Sequence, residues 1–303
     1  MEALAHKPVM LEETMAAIAP HPHGIYADVT AGRGGHAQAL LERSAPTGRV
    51  LVIDRDPVAV VHVREFLERY GDRVTVVHGE FGDIAAINRE HGDVRLSGLI
   101  ADLGVSSPQL DDPARGFSFQ ASGPLDMRMD PTGGPTVLQL IASMSERELA
   151  DTLYRYGDER RSRPIARSIR QRFEAGDLHT TEDLRRAVVR VTGPKRGRVD
   201  PATRTFQALR VAVNDELAQL ERLLEALPDL LADGGVAAII SFHSLEDRMV
   251  KHAFRGDQRL VPLTKRPIQA AEPEQADNPR ARSAKLRCAR RTPRPDAANE
   301  GSI

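Results

Sequence analysis

A glycine-rich turn between a strand pattern and a helix pattern is the feature that most constrains this chain. The apolar, β-prone run 25–29 leads into Gly-Arg-Gly-Gly at 32–35, and an apolar helix pattern follows over 35–44. A strand, a glycine turn and a helix form the unit through which a backbone closely approaches a nucleotide-like ligand. The sequence therefore predicts a Rossmann-like start with a ligand site at this turn.

The residues around the turn narrow the class of ligand. The spacing differs from the Gly-x-Gly-x-x-Gly dinucleotide fingerprint, and no Lys-Ser/Thr pair follows as in a P-loop. Asp28, where the first strand ends, suits a cationic amine, and Asp54, where the second ends, suits ribose hydroxyls. These features favour a cofactor such as S-adenosylmethionine over glycines that serve tight packing alone.

Composition sets the broad class of protein and suggests a partner. The 303 residues, 41% of them hydrophobic, allow one large domain or two ordinary ones. Residues 1–110 contain 10 Lys and Arg against 15 Asp and Glu, whereas 155–210 contain 15 against 7. This asymmetry indicates an acidic body with a basic surface that faces a polyanion, although solvated helix faces would look similar.

Several classes of protein are disfavoured. Cys288 is the single cysteine, so the chain has neither a disulfide framework nor a thiolate metal cluster. The histidines are scattered without ligand spacing, and we expect no metal site. No apolar stretch approaches the length of a membrane span, and we expect a cytoplasmic location.

The order of patterns predicts two domains. Strand patterns at 25–30, 49–54, 73–78 and 97–102 alternate with helix patterns, as in a parallel α/β sheet. A loop-like stretch over 106–135 is followed by helix patterns alone, among them a capping box that starts at Ser145.

The second half of the chain returns to the sheet. Apolar residues from Asp200-Pro201 to Leu227 predict one long helix, and 236–240 then reads as a buried strand, with 284–289 as a last edge strand. A helical domain therefore interrupts the sheet between its fourth and fifth strands. The predicted boundaries are 1–108 and 206–303 for the sheet domain and 109–205 for the insertion.

Chemistry-bearing residues follow the predicted strands. Asp102 ends the fourth strand, Phe81 follows the third as a candidate stacking face, and His243 follows the fifth. Since the carboxyl ends of parallel strands line the ligand crevice, these residues are site candidates. Each has a structural alternative: a capping aspartate, a rim phenylalanine or a packed histidine.

Several long, ordered motifs match one family. The chain resembles the bacterial 16S rRNA (cytosine-N4)-methyltransferases, the RsmH (MraW) family, over nearly its whole length. The motifs that carry the resemblance lie at 6–10, 28–36, 102–111, 115–119, 205–210, 241–248, 278–280 and 283–287.

The resemblance implies a fold, a cofactor and a substrate. The fold is a class I S-adenosylmethionine-dependent methyltransferase (Rossmann-like) sheet with an inserted all-helical domain, and the substrate is a cytidine in the decoding region of 16S rRNA, near the P site of the 30S subunit. No membrane partner is expected, and a homodimer stays open. The residues implied to bind S-adenosylmethionine are Gly34, Gly35, His36, Asp54, Phe81, Asp102 and Gln109.

The reaction needs a proton acceptor near the cytosine amine, whose lone pair is delocalised into the ring. Related amino-methyltransferases carry Asp/Asn-Pro-Pro-aromatic here, whereas this chain has Asp-Leu-Gly-Val at 102–105. Asp102 is the first candidate, with Ser106, Ser107 and His243 as partners. A backbone carbonyl would serve if the cofactor amine occupies Asp102.

Basic residues of the insertion are candidates for phosphate contacts to a flipped-out base. They are Arg160, Arg161, Arg163, Arg167, Arg170 and Arg172, with a second cluster at Lys195, Arg196 and Arg198.

Three rival functions remain: a nicotinamide-dependent dehydrogenase, disfavoured by the glycine spacing; a non-catalytic RNA-binding module, disfavoured by the intact turn and acids; and a methyltransferase of DNA or small molecules. Charge alone does not exclude the last.

Overall fold

The computed structural model describes residues 8–194 and 199–293. The described chain divides into two compact units: a sheet unit, which extends up to Gly104 and resumes at Leu217, and a helical unit, Val105–Glu216. The sequence placed these boundaries at 108/109 and 205/206. The second one lies later because Phe206 and Leu209 belong to the core of the helical unit.

The sheet unit contains one seven-stranded sheet in the order β3-β2-β1-β4-β5-β7-β6. Strands β1 to β5 are parallel, and β7 runs antiparallel to both β5 and β6. The strands are β1 Ile25–Asp28, β2 Arg49–Asp54, β3 Val74–His78, β4 Leu96–Asp102, β5 Leu231–Ser241, β6 Leu260–Pro262 and β7 Lys285–Arg291.

The last two strands correct the sequence interpretation. The strand predicted at 284–289 is β7, but it pairs on both sides and is not an edge strand. Among the described strands the edge on this side of the sheet is β6, which is only three residues long and ends in Pro262. Strand β5 also begins earlier than predicted, at Leu231, and its pairing with β4 shifts register before Val236.

Helices cover both faces of this sheet, as a parallel sheet requires. One core packs Met15, Leu40 and Val63 against it, and the other packs Ile84 and Phe254. The α-helices of the whole described chain are α1 Leu11–Ile18, α2 Gly35–Arg43, α3 Pro57–Leu67, α4 Ile84–Glu90, α5 Ser107–Asp111, α6 Val137–Ser143, α7 Glu146–Gly157, α8 Ser162–Glu174, α9 Thr181–Thr192, α10 Thr203–Val213, α11 Glu216–Leu230, α12 Ser244–Gly256 and α13 Glu272–Asp277. Short 3₁₀ helices span Glu68–Arg73, Phe81–Asp83, Pro113–Arg115 and Pro279–Arg282.

The helical unit confirms the predicted capping box. The Ser145 N–H donates to Glu148 Oε2 at 2.8 Å, and the Glu148 N–H donates to Ser145 Oγ at 3.2 Å, which fixes the start of α7. No helix in the described part of either unit combines the length and apolarity that a membrane span needs.

The single long helix predicted from residue 200 is wrong. The chain forms α10 and α11, separated by Asn214 and a left-handed Asp215 with φ of 51°. The Asn214 side chain donates to the Met127 carbonyl at 2.7 Å and accepts from the Met129 N–H at 2.8 Å. The apolar spacing continues across this break because both helices are buried on one side, so periodicity alone does not reveal it.

Candidate active site

Three aspartates end three adjacent strands at one edge of the sheet. Asp28 closes β1, Asp54 closes β2 and Asp102 closes β4. Because β1 pairs in parallel with both β2 and β4, the three carboxyl ends are neighbours. This is the edge at which open α/β sheets bind their ligands, as the sequence predicted.

Asp54 organises the glycine turn directly. Its Oδ2 accepts from the Gly32 N–H at 2.7 Å, and its Oδ1 accepts from the Asp56 N–H at 2.8 Å. Gly32 and Gly34 have φ of 52° and 81°, a region that favours glycine, so the turn depends on these residue types. Each carboxylate oxygen can accept more than one hydrogen bond, so Asp54 keeps capacity for ribose hydroxyls.

Thr30 connects the ends of β1 and β4, a role that the sequence analysis missed. Its Oγ1 accepts from the Asp102 N–H at 2.6 Å, and its N–H donates to Asp28 Oδ1 at 3.2 Å. The hydroxyl and the backbone N–H of Thr30 together connect the two aspartates. The only sign of this role in the sequence is that Thr30 lies within the motif 28–36. A hydrogen bond from a backbone N–H more than seventy residues away leaves no pattern in the sequence.

The carboxyl edge of the sheet contains several acidic side chains that are buried. Asp28 Oδ2 and Asp102 Oδ1 are buried and accept no hydrogen bond of ordinary geometry from the described residues. Burial, and after it the charge on Asp28, raise the pKa of Asp102 to about 8 against the opposing charge of Arg280. Burial also raises the pKa of Asp28 to about 7 and that of Asp54 to about 6. Such carboxyls are suited to a cationic ligand, which would favour their ionised forms.

Phe81 begins a short 3₁₀ helix beyond β3 and is half-buried. The next residue anchors it, because the Gly82 N–H donates to Oε1 of the buried Gln219 at 3.0 Å. A side chain at Gly82 would meet the same oxygen at 2.4 Å. Gln219 is therefore a supporting residue that sequence reasoning missed, since it lies 137 positions away.

His243 caps a helix. The Glu246 N–H points at His243 Nδ1 at 3.5 Å, and His243 Nε2 lies 3.0 Å from Glu246 Oε1. Glu246 is itself buried and accepts from the Phe242 N–H at 2.9 Å. An Nδ1 that accepts implies the tautomer with hydrogen on Nε2. Although Nε2 lies close to Glu246 Oε1, it makes no hydrogen bond of ordinary geometry with the described residues.

The remaining predicted residues divide between the two units. His36 is buried, and its Nε2 contacts the Val9 carbonyl at 3.2 Å. Ser106, Ser107 and Gln109 belong to the helical unit, where Gln109 Oε1 accepts from the Ser106 N–H at 2.9 Å at the start of α5. Within the sheet unit lie the glycine turn with His36, the three aspartates and Phe81.

The predicted phosphate-binding arginines differ in their surroundings. Arg161 donates to the Val191 carbonyl, Arg167 pairs with Glu146, and Arg170 donates to the Ile141 carbonyl. Arg160 and Arg163 are exposed near the start of α8. The cluster of Lys195, Arg196 and Arg198 lies outside the described residues.

Five parallel strands in this order are joined by an antiparallel strand beside β5, and acids and a glycine turn lie at the carboxyl edge of the sheet. This arrangement defines a class I S-adenosylmethionine-dependent methyltransferase. The MraW methylase family model matches residues 3–292, so the chain belongs to that family. S-adenosylmethionine is accordingly the methyl donor.

The relatives agree in name and in length. The chain is 58% identical over 287 residues to a "Ribosomal RNA small subunit methyltransferase H" of Sorangium cellulosum, covering 94% of this chain and 90% of the relative. A protein of the same name from Thermomicrobium roseum is 45% identical, covering 94% and 93%. A solved putative rRNA methylase from Clostridium thermocellum aligns with a TM-score of 0.46 and 12% identity, covering 96% and 99%.

The residues present fit this cofactor. The buried oxygens Asp28 Oδ2 and Asp102 Oδ1 have capacity to interact with its cationic groups. Asp54 offers carboxylate lone pairs to a diol, and Phe81 offers a partly exposed ring. The first turn of α2 presents backbone N–H groups, which suit a carboxylate.

Proposed function

We propose that this protein transfers a methyl group from S-adenosylmethionine to the exocyclic N4 amine of a cytidine in 16S rRNA, in the decoding region near the P site. Its curated relatives, which cover nearly the whole chain at up to 58% identity, carry the name of small-subunit rRNA methyltransferases. The carrying observation is the pair of buried aspartates, Asp28 and Asp102, at the carboxyl edge of a methyltransferase sheet.

Asp102 is the proposed proton acceptor for the cytosine amine. Its backbone is fixed by Thr30, and its Oδ1 has no other hydrogen-bonding task among the described residues. Burial keeps the carboxyl largely protonated at neutral pH when no cation is near. A bound cation lowers that pKa, so the acceptor is ionised when the reaction complex has formed.

The other residues of the sheet unit bind and orient. When bound, the cofactor supplies an electrophilic methyl group on a sulfonium. Asp28 is proposed to hold the cofactor amine, Asp54 the ribose and Phe81 the adenine. Gly34 and Gly35 let the backbone approach the methionine carboxylate. Alignment of donor and acceptor then supplies much of the rate, because the reaction is an in-line displacement.

His243 is proposed to support Asp102 rather than to exchange protons. Its Nδ1 caps α12 by accepting from the Glu246 N–H, and the Glu246 carboxylate contributes to the raised pKa of Asp102. The roles predicted for Ser106, Ser107 and Gln109 stay predictions. Gln109 stabilises the start of α5.

The helical unit is proposed to bind rRNA phosphates through exposed arginines, first among them Arg160 and Arg163. The chain has few aromatic residues, 4% of the total, so recognition depends on charge and shape more than on stacking.

The test uses purified protein, S-adenosylmethionine with a tritiated methyl group, and 30S subunits from cells that lack the endogenous enzyme. Nucleoside analysis of the RNA is expected to give label in N4-methylcytidine, and mapping of RNA fragments is expected to place it in the decoding region. Asp102→Asn is expected to lose this label, whereas Asp72→Asn, at an exposed carboxylate, keeps it. Label in another nucleoside, or none with intact cofactor binding, would contradict the proposed substrate.

A further inference from the structure

The segment 8–10 contacts the helix that follows the glycine turn. Val9 and Met10 are buried, and Pro8 packs so closely on Gly35 that a Cβ there would lie 2.2 Å from Pro8 Cγ. The backbone carbonyl of Val9 lies 3.2 Å from Nε2 of His36. Burial lowers the pKa of His36 to about 4, so the imidazole is neutral and its Nε2–H donates to this carbonyl.

The same segment is also held by α13, near the carboxyl-terminal part of the chain. The Met10 N–H donates to Glu274 Oε1 at 2.8 Å, across 264 positions of sequence. Met10 has φ of 52° and ψ of 39°, a left-handed conformation that a side-chain-bearing residue adopts only when its surroundings impose it. The Met10 carbonyl then accepts from the Thr14 N–H at 3.0 Å and begins α1.

Glu274 also lies within the electrostatic environment of the reactive acid. Its carboxylate is among the charges that raise the pKa of Asp102. The segment 8–10 therefore connects three parts of the site: the glycine turn through Gly35, the first turn of α2 through His36, and the surroundings of Asp102 through Glu274. None of these contacts occupies a group that is proposed to bind the cofactor. His36 donates to Val9 with its side chain, so its backbone N–H stays available to a ligand at the start of α2.

We infer that Glu274, the backbone of 8–10 and the His36 side chain form a clasp that holds the glycine turn in its cofactor-binding geometry, with Glu274 and His36 as positioning residues. This inference rests on the proposed function only in that the turn binds S-adenosylmethionine. Loss of the Glu274 contact releases the strained Met10 and, with it, the packing of Pro8 on Gly35. Cofactor affinity falls in consequence, while residues that touch the cofactor are unchanged.

The test measures S-adenosylmethionine binding by calorimetry on the full-length protein, with no RNA present. Glu274→Ala is expected to weaken binding about tenfold, the factor that corresponds to the loss of one hydrogen bond. Glu274→Gln removes the charge but keeps an oxygen that accepts from Met10, and it is expected to bind like the wild type. Glu272→Ala, at an exposed carboxylate of the same helix, is the matched control.

A second measurement separates the clasp from a general loss of folding. Amide hydrogen exchange in 8–18 is expected to accelerate in Glu274→Ala alone, with an unchanged thermal midpoint for the protein. Unchanged cofactor affinity in Glu274→Ala would overturn the inference. Equal weakening in the Ala and Gln variants would also overturn it, because the effect would then come from charge near Asp102. Neither result depends on the rRNA substrate, so failure of the clasp and failure of the proposed reaction are distinguishable.

Discussion

Two buried polar clusters, one in each unit, differ in how their polar groups are satisfied. In the helical unit, Asn214 bonds to the backbone of both Met127 and Met129, and Glu216 pairs with Arg210 through two bonds of 2.7 and 2.8 Å. At the sheet edge, Asp28 and Asp102 each keep a buried oxygen without an ordinary hydrogen bond from the described residues. Satisfied groups stabilise a fold, whereas groups left with spare capacity in a buried place are typical of a site that binds.

The largest expected effect is the loss of activity in Asp102→Asn. We expect kcat to fall about 10³-fold, as for the loss of a proton acceptor, while the thermal midpoint stays equal or rises because a buried carboxyl is replaced by a neutral amide. Single-turnover methylation and thermal unfolding measure the two. A variant that unfolds more readily and keeps its activity would make Asp102 a structural residue.

The opposite result is expected for Asn214→Ala in the helical unit. The free energy of unfolding should fall by about 2 to 3 kcal/mol, because two buried backbone groups lose their partner. Affinity for S-adenosylmethionine should not change. Gln171→Ala, at an exposed position of α8, is the control for denaturant unfolding. Equal stability of the two variants would remove the contrast between the units.

Binding of the cofactor should depend on pH in a direction set by the raised pKa values of Asp28 and Asp102. Their ionised forms attract the cationic groups of the cofactor, the amine and the sulfonium, so affinity for S-adenosylmethionine should rise, on the order of tenfold, from pH 6 to pH 8. S-adenosylhomocysteine lacks the sulfonium charge and should change less. Calorimetry with both ligands checks this, and parallel curves would contradict it.

The same groups shape the stability of the ligand-free protein. Because their folded-state pKa values are raised, the folded state binds more protons than the unfolded chain, and their contribution to stability falls as pH rises from about 4 to 8. Asp102→Asn should flatten this slope. Denaturant unfolding at several pH values would show whether it does.

The smallest expected effect concerns the exposed arginines. Replacing Arg160 and Arg163 together with Ala should weaken rRNA binding several-fold at every sequence tested and reduce the slope of log affinity against log salt by about 2. Arg147→Ala, whose side chain is 91% exposed on α7, is the matched control. An unchanged slope in the double variant would place the RNA contacts elsewhere.

The sequence predicted the parts of this molecule that depend on local pattern. Strands β1 to β4 lie where short apolar runs between helix patterns predicted them, and the change to helix patterns alone predicted the helical interruption. The break at Asn214 was not predictable, because its cause is a loop that lies more than eighty residues away in the chain. Strand β6 was missed because three residues carry no period.

Some residues of the candidate site were likewise predictable from local pattern and others were not. Asp28, Asp54 and Asp102 were found because they follow strands, and the glycine turn was found because its composition is unusual. Thr30 and Gln219 were missed because each acts through one long-range hydrogen bond. His243 drew attention as a histidine near an acid, but whether a ring nitrogen caps a helix depends on geometry that spacing does not give.

The position of β7 in the sheet has a consequence for synthesis. It is the last strand along the described chain, yet it lies between β5 and β6, and the side chain that binds the Met10 N–H belongs to Glu274. A nascent chain that has reached β5 already holds every aspartate of the candidate site. It still lacks the partner strand of β5 and the contact that fixes its own beginning. Assembly of the sheet unit therefore waits for residues 274–291, and an unfinished chain cannot complete it.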